Sequence, residues 1–134
     1  MRPVPKKKPS PFDPLILLVD DVADNIEVYT QFFVHRGWRT ATASNGPEGL
    51  TSAAGLRPDV IVLDLGMPGM DGWEVARRLK ADAATRSIPI IALTGHVLGD
   101  SRRRALEAGV AEFLAKPCLP QDLAEAIKKH LRPR

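Results

Sequence analysis

Cysteine is nearly missing from these 134 residues: Cys118 stands alone, so no internal disulfide can form. Histidine is scarce as well, and three scattered copies beside one thiol do not make a zinc site of ordinary ligand spacing. No apolar run approaches the roughly 20 residues that cross a bilayer. Met1 leads into a polar Pro and Lys stretch, and the first apolar run, Leu15 to Val19, ends on two aspartates, so no signal peptide is expected. These absences predict a cytoplasmic chain with no membrane span. The length is that of one domain, so neither a separate DNA-binding domain nor a multidomain enzyme is expected.

An excess of positive charge is missing from most of the chain too. Residues 1–14 carry four basic side chains against one acidic, which accounts for the whole net charge of +3. The remainder is balanced, which argues against a nucleic-acid-binding fold. That first segment, MRPVPKKKPSPFDP, has five prolines and little to bury, so residues 1–14 are expected to be a disordered basic tail. The domain is expected over residues 15–131, with 132–134 a short carboxyl-terminal tail.

What is present is an alternation of short apolar runs with helical patterns. LILLVD, DVIVLD and IPIIALT are nearly continuous apolar runs, the signature of strands covered on both faces of a parallel sheet. DVADNIEVYTQFFVHRG puts Val22, Ile26, Tyr29 and Phe33 on one helical face, with Gly37 as a stop signal. WRTATA reads as an edge strand and GPEGLTSAAGL as a helix with Pro47 near its first turn and Gly55 near its last. DGWEVARRLKAD, GHVLGDSRRRALEAG and PQDLAEAIKKHL read as the remaining helices, and AEFLAKP as the last strand. Five βα units imply an α/β doubly wound five-stranded parallel sheet of order 2-1-3-4-5.

In such sheets ligands sit beyond the carboxyl ends of the strands. Here those ends carry Asp20 and Asp21, Asp64, Thr94, and Lys116 followed by Pro117. Crowding three carboxylates costs several kcal/mol even at an effective dielectric near 20, so cations must join them. Lys116 is one. A hard divalent ion is the second, and magnesium is favoured over calcium because few carboxylates are at hand and no EF-hand loop is present. A carboxylate beside magnesium, an ammonium and a hydroxyl can accept a phosphoryl group as an acyl phosphate.

VDD at the first strand, DLGMPGMDG around Asp64, LTG at the fourth strand and AKP at the fifth resemble the receiver domains of two-component response regulators, in particular single-domain, chemotaxis-type receivers. The resemblance runs from Leu15 to Leu131 and implies a flavodoxin-like fold. It also implies that Asp64 is the phospho-acceptor, that Asp21, Asp64 and the carbonyl of Gly66 hold Mg2+ with Asp20 a ligand or water-mediated partner, and that Thr94 and Lys116 bind phosphoryl oxygens. Thr94 and Phe113 match the family's switch pair, and Lys116-Pro117 would be a cis peptide. The resemblance also implies that Gly66 and His96 occupy positions that tune loss of the phosphate.

The function so implied is phosphoryl acceptance from a sensor histidine kinase or a histidine phosphotransfer protein, with output to a downstream protein through the face of the fourth helix, fifth strand and fifth helix. The chain would be no enzyme beyond catalysing its own phosphorylation and slow autodephosphorylation. Two other readings compete. One is a receiver-like scaffold that is never phosphorylated; the other is a phosphatase with an aspartate nucleophile, which alternates two aspartates after the first strand where this chain has Asp20 and Asp21 adjacent. Trp38, Trp73 and Cys118 are read as packing residues, and Asn25, Pro68, Gly69 and Gly72 as turn and helix-start geometry.

Overall fold

The computed structural model describes residues 13–95 and 101–131. Strands β1 (Leu15–Val19), β2 (Arg39–Ala43), β3 (Val60–Asp64), β4 (Ile90–Thr94) and β5 (Glu112–Ala115) alternate with helices α1 (Ala23–His35), α2 (Gly46–Leu56), α3 (Gly72–Ala81), α4 (Ser101–Glu107) and α5 (Pro120–His130). All strand pairs are parallel and their order is β2-β1-β3-β4-β5, as the sequence predicts.

The continuous apolar runs are explained by the two cores they feed. Ile16, Leu18, Val60, Val62, Ile91 and Leu93 point to one face, where Tyr29 and Phe33 of α1 and Leu123 and Ile127 of α5 cover them. Leu17, Val19, Ile61, Leu63, Ile90 and Ala92 point to the other, against Ala53 of α2, Val75 and Leu79 of α3, and Ala105 of α4. Each such aliphatic side chain contributes roughly 1.5–3 kcal/mol on burial, so neither face can be left uncovered. β2 is the exception: its middle residues are half-buried or exposed, as an edge strand requires.

Caps set the helix starts. The Asn45 side chain accepts the Glu48 N–H at 2.8 Å to open α2, and Asp71 accepts the Glu74 N–H at 3.0 Å to open α3. The helical face read in the sequence from Val22 onward differs at its first member: Val22 is the N-cap and is 44% exposed, Ile26 is half-buried, and the stripe is buried from Tyr29 on. α2 runs to Leu56 with Gly55 in its last turn, as read, and is capped by Arg57 in the left-handed conformation (φ 50°). Gly37, at φ 89°, does stop α1 as expected.

At the amino-terminal edge, the Arg39 N–H donates to the Pro14 carbonyl at 2.8 Å and Arg39 Nε to the Asp13 carbonyl at 3.0 Å. The sheet's hydrogen bonding therefore reaches back to the last two residues of the 1–14 segment. Among the described residues no helix is long and apolar enough to cross a membrane.

Candidate functional site

Parallel strands present their carboxyl ends on one edge, and there β1, β3, β4 and β5 bring together four of the predicted groups. Asp20 follows β1 directly and is 5% exposed; Asp64 and Thr94 end their strands and are buried; Lys116 follows β5 and is half-buried. Asp21, next along, is exposed. The Lys116 ammonium lies 3.3 Å from Asp64 Oδ2 and 3.6 Å from Asp20 Oδ2. One oxygen each from Asp20, Asp21 and Asp64 lies within 4.8 Å of the others.

Backbone geometry fixes these side chains. The Lys116 N–H donates to the Thr94 carbonyl at 2.8 Å, continuing the β4–β5 ladder one step past the strands. The Lys116-Pro117 peptide is cis, as predicted. Asp64 Oδ1 accepts the Gly66 N–H at 2.9 Å, and a Cβ placed on Gly66 would meet only that same oxygen, at 3.6 Å. The exposed Gly66 thus leaves open space beside that oxygen. Behind it the packing is tight: a Cβ on Gly72 would lie 2.5 Å from Leu65 Cα, so α3 starts directly against the backbone that follows the acceptor.

Asp20 Oδ1 accepts the Val22 N–H at 2.8 Å, and Asn25 Nδ2 donates to Oδ2 at 3.3 Å. Burial pushes the Asp20 carboxyl above the ordinary carboxylate range and the Asp64 charge adds to the rise, while the Val22 N–H, Lys116 and Asn25 pull it down. Three carboxylates facing one ammonium leave the pocket two negative charges in excess when all are ionised. A hard divalent cation with oxygen ligands fits that donor set.

Phe113 is 3% exposed and packs in the same core as Ala105 and Val110, so its ring already occupies the inward position. Gly66 is at the pocket rim and exposed, and His96 lies outside the described residues. Trp38 is buried, Trp73 half-buried beneath the Arg104 guanidinium at 4.5 Å from its ring centre, and Cys118 packs partly on the α1/α5 core; all three bear out the packing reading.

One participant was not singled out by sequence. The Tyr29 hydroxyl donates to the Cys118 carbonyl at 2.8 Å, two residues beyond Lys116. Asn25, read only as turn geometry, also reaches the pocket by its bond to Asp20. For Tyr29 the only signal was its place on the apolar face of α1.

Residues 16–128 match the family described as response regulator receiver domain. Among curated proteins, the response regulator PleD of Caulobacter vibrioides is 41% identical over 102 residues, covering 76% of this chain and 22% of PleD. The DNA-binding response regulator MtrA of Mycobacterium tuberculosis is 37% identical over 117 residues, covering 87% of this chain and 50% of MtrA. The chain thus spans half or less of the length of these relatives. Among solved structures, the chemotaxis protein CheY4 of Vibrio cholerae superposes with a TM-score of 0.84 at 27% identity, over 89% of this chain and 99% of that one. The receiver domain of the sensor histidine kinase PA1611 of Pseudomonas aeruginosa, solved with a magnesium ion coordinated in its active-site cleft, gives 0.80 at 32% identity, over 88% and 97%.

Proposed function

The chain belongs to the response regulator receiver domain family, and on that premise we propose that it takes a phosphoryl group from a phosphohistidine partner onto Asp64. The observation that carries the reading is the Lys116 ammonium set between Asp64 and Asp20, 3.3 and 3.6 Å away, at an edge with open space beside Gly66. Asp64 attacks phosphorus as the donor's N–P bond breaks, an O–P bond forms, and the imidazole leaves with the electron pair. Lys116 and the Thr94 hydroxyl neutralise the phosphoryl oxygens during transfer. Asp20, Asp21, Asp64 and the Gly66 carbonyl would hold Mg2+, which when bound supplies further positive charge beside those oxygens.

The donor is a sensor histidine kinase or a histidine phosphotransfer protein, met in the cytoplasm. The output is a changed surface made by α4, β5 and α5, coupled to the phosphate through Thr94 and Phe113. Gly66 and His96 set how fast water removes the phosphate. Residues 15–131 carry all of this chemistry, and residues 1–13 are dispensable for it.

Incubation with magnesium and acetyl phosphate, read by intact mass, tests the central step. One added phosphate is expected, labile to hydroxylamine, absent without magnesium and absent in Asp64→Ala. Full labelling of Asp64→Ala would place the acceptor elsewhere.

A further inference from the structure

We propose that Tyr29 is a positioning residue for phosphoryl acceptance, holding through its hydroxyl the loop that carries Lys116; this rests on the reading of Asp64 as acceptor. The loop between β5 and α5 is pinned at three points. At one end the Lys116 N–H bonds the Thr94 carbonyl at 2.8 Å; at the other the Leu119 carbonyl accepts the first N–H groups of α5, from Asp122 and Leu123, both at 3.0 Å. The middle is held from outside the loop, by the 2.8 Å bond from Tyr29 to the Cys118 carbonyl. Among the described residues that bond is the one hydrogen bond from another element to the Pro117–Cys118 stretch, and the lysine stem rises from its start.

Tyr29 is suited to the task because its own ring is fixed. It is 8% exposed and stacks on Phe33 with ring centres 6.3 Å apart and planes 12° from parallel. Phe33 in turn packs on Trp38 at 5.5 Å. The same helix also meets the other half of the pocket, since Asn25, one turn earlier, donates to Asp20. α1 therefore joins the carboxylate that follows β1 to the loop that follows β5. Ion-pair distances of 3.3 and 3.6 Å leave little slack, and a shift of about 1 Å in a positioning group can lower a rate by as much as about a hundredfold.

Tyr29→Phe keeps the ring stack and removes only the donor. At saturating acetyl phosphate and magnesium, the rate constant for acceptance should fall about tenfold, with magnesium affinity and thermal midpoint little changed. In a Lys116→Ala background the same change should have no further effect, because the group it positions is gone. An undiminished rate in Tyr29→Phe, or an equal loss in both backgrounds, overturns the proposal. Carbon-13 relaxation at Lys116 Cε gives a readout that needs no phosphate: ordered in the wild type and mobile in Tyr29→Phe if the tether acts, unchanged if it does not. Failure of the wild type to take phosphate would instead strike at the Asp64 reading, with the relaxation result still deciding for or against the tether.

Discussion

Tyr29 is the chain's single tyrosine, so its ionisation can be followed without ambiguity. Burial, aided by nearby Cys118 and Asp20, pushes its hydroxyl up to about 12. Because the folded protein holds this proton above the unfolded value near 10, the resulting stability is complete below pH 10 and is lost as pH rises toward 12; its size is about 2–3 kcal/mol. Ultraviolet titration should show tyrosinate appearing near pH 12 in the native protein and near 10 in denaturant. A native midpoint near 10 would mean the hydroxyl is not held as described. At this scale the sequence was legible where a polar residue ends an apolar run: Asp20, Asp64, Thr94 and Lys116 are each found that way. Tyr29 was not, because its partner is 89 residues away and is a backbone carbonyl that no residue type announces.

Elements were legible as far as their buried faces are periodic, and their ends less so. Val22 departs from the periodic face because a helix entry can carry an apolar residue that faces solvent while its N–H serves Asp20. Arg57 cannot be read as a cap from sequence because a non-glycine left-handed cap has no composition signal. The start of α3 is the tightest junction near the site, so Gly72→Ala is expected to lower stability by about 1–3 kcal/mol and to slow phosphoryl acceptance by displacing Asp64; denaturant unfolding and the mass assay would read both. Unaltered unfolding in that variant would mean the α3 junction has room to spare. On the output side, Phe113 is already inside, so phosphate is expected to tighten that arrangement instead of creating it. Hydrogen exchange over residues 101–120 should slow on phosphorylation, and in Thr94→Ala the phosphate should be accepted without that slowing. Equal protection in both proteins would remove Thr94 from the coupling.

For the whole molecule, fold class was readable because uniformly apolar strands between helical repeats admit few architectures, and right-handed crossovers choose among them. Clustered carboxylates at one edge make the molecule's stability depend on what neutralises them. With magnesium at about a hundredfold excess over its dissociation constant, stability should rise by about 2.7 kcal/mol and the thermal midpoint by several degrees. Calorimetry should find that rise in the wild type and not in Asp21→Ala, which without the metal should melt no lower than wild type because one repulsive charge is gone. The same rise in both would put the cation somewhere else. The bond from Tyr29 to Cys118 has one more consequence, which concerns synthesis. It closes over 89 residues, and Lys116 stands just before its far end. A nascent chain leaving the ribosome, or a fragment clipped ahead of β5, already contains Asp20, Asp21 and Asp64 yet lacks both the ammonium and the strap that seats it. On the proposed function, such incomplete copies are expected to take phosphate more slowly than the finished chain.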